Sequence, residues 1–217
     1  NLSQKRQPER EPVVPGGLGH GCGHNLLGTG GMAAAAAVKT WLQSTGRPGT
    51  VRYYGCPAEE ILVGKVYMAR AGAFNDLNAA FNFHPSTKNC PSLEGSYAMN
   101  NLRFRFYGEP AHAGGSPHLG RSALDAVELM NVGVNYLREH VETTTRMHYI
   151  ISNGGDLPNI VPALAEVWYF LRAPSRRQVD AVTDRVRNIA MGAALMTGTR
   201  LEEIFTTGCY PLLNNRT

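Results

Sequence analysis

Apolar and polar positions divide the chain into two stretches of different habit. From about Ser96, Leu102, Phe104 and Phe106 alternate with Arg103, Arg105 and Tyr107, the two-residue period of a strand with one buried face. A helix is predicted from about Ser122, where Asp125 three residues on makes a capping-box-like start and Val127, Met130, Val134 and Leu137 share one face. Met147–Ser152 and Ala165–Leu171 read as strands around the turn Gly154-Gly155-Asp156. Ser175 caps a second helix in which Val179, Val182, Val186 and Ile189 recur at spacings of three and four, and Leu201–Thr207 makes a last short strand. This βαββαβ order predicts a ferredoxin-like layer pair, with one sheet face covered by both helices and the other free for a partner or a lid role.

The stretch before it is less regular. Residues 1–18 carry charge, proline and glycine without a period and read as loop. Alanine-rich sequence from Leu26 to about Thr45 predicts a closely packed helix ended near Gly46 and Pro48. Thr50–Cys56 and Asn78–Phe83 read as strands, with a short helix over Lys65–Ala71 between them and Gly72 as its stop. Strand, helix and strand with polar residues just past each strand predict part of a mostly parallel sheet whose site lies at the carboxyl ends of the strands.

Composition supports a globular chain: 43% of the 217 residues are hydrophobic, enough for a real core. The net charge of +4 is spread among acidic residues, so a nucleic-acid surface is not expected. No apolar run is long enough to span a membrane. The four cysteines have no framework spacing, which fits a reducing, cytoplasmic setting without structural disulfides.

Candidate chemistry gathers in the first stretch. Gly19-His20-Gly21-Cys22-Gly23-His24-Asn25 places one thiol and two imidazoles among glycines, and Cys22 and His24, two apart, address one point if the segment is extended. Glu59 and Glu60 follow the first strand, and His84 follows the second. Adjacent glutamates on an extended segment point apart, so one can ligate a metal while the other acts as general base toward water. Singly, each has a plain alternative: a Glu-Glu pair is ordinarily solvated surface and a lone Cys ordinarily packing. Joint placement at one sheet edge favours metal-assisted hydrolysis. Gly28-Thr29-Gly30-Gly31 lacks the spacing of a phosphate-binding loop.

The motifs GHGCGHN, CPAEE, FHP and AHAGGSPHLGRSALDAVE, in this order and over almost the whole chain, resemble the M20 family of metallopeptidases and amidohydrolases, in its aminoacylase-like and auxin-conjugate subfamily. The resemblance implies two divalent metal ions, manganese or zinc, in the full-length enzyme. It implies Cys22 as a bridging thiolate, His24, Glu60 and His84 as further ligands, and Glu59 as general base. His20 matches a motif histidine outside the ligand set. His112 would stabilise the oxyanion, while Asn159 and Arg172 would hold the carboxylate side of an N-acyl amino acid such as p-aminobenzoyl-glutamate, or of a dipeptide-like substrate.

By the same resemblance, residues 1–95 would be the N-terminal part of the catalytic metal-binding domain, 96–208 a ferredoxin-like dimerisation and lid domain, and 209–217 a return toward the catalytic domain. The domain would form a homodimer or heterodimer. A further metal-ligating histidine of the family lies beyond this chain and its first strands are missing, so this piece alone is expected to bind metal poorly and hydrolyse nothing. Two alternatives stand beside the amidohydrolase: a thiol enzyme with Cys22 as nucleophile and His24 as base, and a non-catalytic dimerisation or regulatory subunit of the same fold.

Overall fold

The computed structural model describes residues 5, 7–9, 11–60, 63–90 and 95–213. The chain divides into two compact units, residues 1–91 and 92–217. Residues 214–217, the end of the stretch 209–217 expected to return toward a catalytic domain, lie outside the described residues, as do 1–4, 6 and 10 of the opening loop.

The C-terminal unit is the predicted βαββαβ fold. Strand β1 (Ala98–Tyr107), helix α3 (Ala123–Leu137), strands β2 (Arg146–Asn153) and β3 (Leu164–Ala173), helix α4 (Arg176–Thr197) and strand β4 (Arg200–Cys209) follow in that order. The strands form one antiparallel sheet in the order β2-β3-β1-β4. Period-two alternation drives Leu102, Phe104 and Phe106 of β1 and Val167, Tyr169 and Leu171 of β3 onto one face, where all are fully buried. The apolar stripe Val127, Met130, Val134 and Leu137 of α3 meets them with Val179, Val182 and Val186 of α4, closing a two-layer core.

Local chemistry starts both helices. The Ser122 hydroxyl accepts from the Asp125 amide at 3.1 Å, and the Ser175 hydroxyl from the Gln178 amide at 3.3 Å. Within the core, the Tyr169 hydroxyl donates to Asn131 Oδ1 at 2.6 Å and so satisfies the one polar group its ring carries inward. Gly133 allows α3 to approach α4, since a Cβ there would sit 2.6 Å from Ile189 Cγ2.

The N-terminal unit departs from expectation. Helix α1 (His24–Thr45) and short helix α2 (Gly64–Arg70) are present, stopped near Gly46 and Gly72 in left-handed conformations. Thr50–Cys56 and Asn78–Phe83 are extended but belong to no ladder among the described residues, so the mostly parallel sheet expected here is not formed. A strand is a property of two chains of backbone donors and acceptors in register, and β-branched or aromatic sequence cannot supply the partner. The close packing expected of the alanine-rich helix is also missing: no residue of α1 is buried, and Val38 and Trp41 stand exposed. Its glycines do pack. A Cβ at Gly30 would lie 2.6 Å from Phe83 Cζ and one at Gly31 2.9 Å from Tyr53 Cε2, so both extended segments rest on the glycine side of α1. Arg52 grips the Asp76 carboxylate through both terminal nitrogens, at 2.7 and 2.6 Å, tying the first segment to the turn after α2.

Candidate metal centre

Cys22, His24 and Glu60 each offer a donor atom, all within 4.8 Å of one another. The way they meet differs from the extended-segment argument. Gly23 adopts φ 78°, a left-handed turn costly for other residues, and His24 is already the first residue of α1. The thiol and imidazole converge through that turn and not through strand alternation. Glu59 and Glu60 likewise lie in a turn, preceded by Ala58 at φ 52°. A non-glycine residue held there stores strain that sets the direction of the two carboxylates.

Glu60 Oε1 is 2.8 Å from His24 Nε2 and Glu59 Oε2 is 3.4 Å from it. Yet Nε2 is shielded from solvent and has no aligned hydrogen-bond partner among the described residues. Donor atoms gathered this closely, with lone pairs that can face a shared point, suit the ligands of one cation. Partial burial, and then the carboxylates of Glu60 and Glu59, hold the Cys22 thiol above its ordinary pKa. A nucleophilic cysteine needs the opposite shift, whereas a divalent cation would reverse it. Thiolate, imidazole and carboxylate together suit zinc or manganese, so these residues fit a metal ion.

His84 joins through Cys22, its Nε2 3.0 Å from the sulfur while Nδ1 lies 3.0 Å from the Pro85 carbonyl oxygen. Phe83 packed on Gly30, and Pro85 within 3.1 Å of a Cβ position at Gly23, deliver it there. Gly64 is the positioning residue that sequence reasoning missed. Any Cβ on it would fall 1.7 Å from the Pro57 carbonyl oxygen, so it lets α2 lie against the turn bearing Glu59 and Glu60. Nothing local in the sequence marks it, because its neighbour is seven residues away.

The remaining predicted residues lie in the C-terminal unit. His112 pairs with Ile160 in an isolated bridge, and the Ala113 amide donates to the Asn159 carbonyl at 3.0 Å, so the two loops are stitched together. His112 Nδ1 accepts from the amides of Gly114 and Gly115, at 3.1 and 2.9 Å. A nitrogen accepting twice carries no proton, which in the neutral ring leaves Nε2–H as a donor. Arg172 sits near the end of β3 with its guanidinium 5.9 Å from the Phe170 ring centre, and its Nε is buried without a hydrogen-bond partner among the described residues.

Residues 95–195 match the family model described as a peptidase dimerisation domain. Over 208 residues the chain is 51% identical to one of the subunits of the p-aminobenzoyl-glutamate hydrolase of Escherichia coli K12, covering 94% of this chain and 43% of that protein. The chain belongs to the M20 family. Another relative, the Xaa-Arg dipeptidase of Mus musculus, is 37% identical over 92% of this M20 chain and 47% of its own length. Among solved structures, an aminobenzoyl-glutamate utilization protein from Klebsiella pneumoniae superposes with a TM-score of 0.50 at 25% identity, covering 56% of this chain and 31% of that one. The chain thus spans less than half the length of these two curated relatives. Its four-stranded antiparallel sheet with two helices is the part that fits the dimerisation domain. No helix among the described residues is long and apolar enough to cross a membrane.

Proposed function

We propose that the full-length protein carrying this chain is a divalent-metal amidohydrolase that releases the amino acid from an N-acyl amino acid, with p-aminobenzoyl-glutamate or a similar dipeptide-like molecule as substrate. The observation that carries this reading is the convergence of Cys22, His24 and Glu60 on one point, with His24 Nε2 shielded there and 2.8 Å from Glu60 Oε1. Names of relatives agree with it, since one belongs to a p-aminobenzoyl-glutamate hydrolase and another is a dipeptidase. Cys22, His24 and Glu60 would hold one ion, and Cys22 with His84 a second, as manganese or zinc. When bound, such ions lower the pKa of a water and polarise the amide carbonyl.

The chain's own groups do the rest. Glu59, outside the converging trio, takes the proton from water and returns it to the leaving amine. His112 donates Nε2–H to the carbonyl oxygen as it gains charge, its ring oriented by the two amides on Nδ1. Asn159 and Arg172 take the carboxylate of the amino-acid half, the guanidinium by paired hydrogen bonds. The ferredoxin-like unit joins two subunits, of one kind or two.

Hydrolysis of p-aminobenzoyl-glutamate by the full-length protein with manganese or zinc, beside its Glu59→Gln variant, tests this. The variant should keep its metal and lose about 10²- to 10⁴-fold in kcat. A chelator should abolish wild-type turnover. Turnover that survives chelation, or a Glu59→Gln variant as active as wild type, would overturn the reading.

A further inference from the structure

The open face of the sheet, opposite α3 and α4, carries two groups of arginines that are treated differently. At one end a single carboxylate, Glu166, is shared by both members of the pair. Arg103 donates to it at 2.6 Å and Arg105 at 2.5 Å, and Ser152 adds a hydrogen bond at 2.7 Å. The Arg103 guanidinium also lies 4.2 Å from the Trp168 ring centre, so this group is fully engaged.

At the other end Arg146 of β2 stands directly opposite Arg172 of β3, and His148 is opposite Phe170 one step along the same face. Like charges across an antiparallel pair repel. Neither Arg146 nor Arg172 forms an ion pair among the described residues, and Arg172 Nε has no hydrogen-bond partner there. Arg146 spends Nη1 on the carbonyl oxygens of Thr143 and Thr145, which anchors the guanidinium and leaves its other nitrogens free to donate. Partial burial, with Arg172, Arg138 and Arg146 behind it, lowers the pKa of His148, so at neutral pH it adds hydrogen bonding without a further positive charge. Two arginines without a carboxylate partner among the described residues, with a histidine on the same face, offer the donors that a carboxylate accepts.

We propose that Arg146, with His148, forms a second carboxylate position beside Arg172, so that the pair selects an amino-acid half bearing two carboxylates, as glutamate and aspartate do. This rests on the reading above, in which Arg172 takes the first carboxylate, and it makes Arg146 a specificity residue with no part in bond cleavage.

Steady-state kinetics of the full-length metal-loaded protein on p-aminobenzoyl-glutamate and p-aminobenzoyl-glutamine test it, the second substrate having the same shape without the side-chain charge. Wild type should prefer the glutamate compound by about 10-fold or more. Arg146→Gln should lower kcat/KM on that substrate about 10- to 100-fold, mainly through KM, and change the glutamine compound less than about 3-fold. Arg146→Lys should restore part of the preference. An unchanged ratio in Arg146→Gln, or equal loss on both substrates, overturns the proposal. If wild type cleaves neither compound, the hydrolase reading fails on its own, and calorimetry with L-glutamate and L-glutamine decides the rest. Glutamate binding that Arg146→Gln removes upholds the site, and equal binding of the two amino acids by wild type overturns it.

Discussion

The two units differ in where their order comes from. Every buried hydrophobic side chain among the described residues lies between Ala98 and Ala194, in the C-terminal unit, whereas the N-terminal unit buries only Gly64. One unit is organised by apolar burial within itself. The other is organised by aromatic rings seated on helix glycines, one bidentate ion pair and a cluster of side chains able to hold a metal, so its order rests on a few separate contacts without a buried apolar core among the described residues. A unit of the first kind resists change through its core, and one of the second kind depends on what binds it.

The largest expected effect breaks the first kind of order. Phe104 is fully buried and meets Tyr169 edge-on with ring centres 6.0 Å apart. Phe104→Ala should cost about 3–5 kcal/mol in urea unfolding of the 217-residue chain. Phe81 of the other unit is 96% exposed, and Phe81→Ala should stay within about 0.5 kcal/mol in the same experiment. Equal losses would mean that the contrast between the units is wrong.

That contrast also explains what could be read from the chain. The α3 stripe, its Ser122 cap and the alternation in β1 were legible because each element finds its partners within the same unit, so period and burial agree. Thr50–Cys56 and Asn78–Phe83 carry equally strand-like residues, but a ladder depends on a neighbour that local sequence does not reveal. Cys22, His24, Glu60 and His84 could be picked out by residue type. Their geometry could not, because it rests on a left-handed Gly23, a strained Ala58 and a glycine seven residues from Pro57. Backbone conformations of this kind leave no period to read.

Next in size is the charged end of the open sheet face. Burial opposes ionisation of Glu166, but hydrogen bonds from Ser152, Arg105 and Arg103 outweigh it and hold the carboxyl below its ordinary pKa. Glu166→Gln should therefore cost about 1–3 kcal/mol at pH 7. Because the folded pKa is depressed, this stabilisation is complete above the unfolded carboxylate value of about 4.3 and is lost as pH falls through the lower folded value. Urea midpoints of wild type and variant should converge as the pH falls below the unfolded carboxylate value and through the lower folded one. A gap that persists unchanged at the lowest pH would show that the charge is not the cause.

In the N-terminal unit the matching test is Gly64→Ala. The new Cβ would strike the Pro57 carbonyl oxygen, so the turn bearing Glu59 and Glu60 has to move. Zinc affinity of the full-length protein, measured by competition with a chromophoric chelator, should fall about 10-fold, equivalent to about 1.4 kcal/mol. Urea unfolding of the C-terminal core should be unaffected.

The smallest effects separate helix starts that carry a side-chain cap from the one that lies between Cys22 and His24. Ser122 and Ser175 cap α3 and α4 with side-chain hydrogen bonds, and Ser122→Ala should cost about 1 kcal/mol of unfolding free energy. Helix α1 instead opens on Gly23, which offers no side-chain cap and a left-handed backbone. Gly23→Ala adds a strain of about 1 kcal/mol to a unit with no apolar core, and the chain relieves it by turning Cys22 away from His24. Metal affinity should therefore drop while the main unfolding transition stays in place. Gly23→Asn, which tolerates the left-handed region, should retain more of the affinity than Gly23→Ala. If both variants bind metal as wild type does, the turn at Gly23 is not what brings the thiol and the imidazole together.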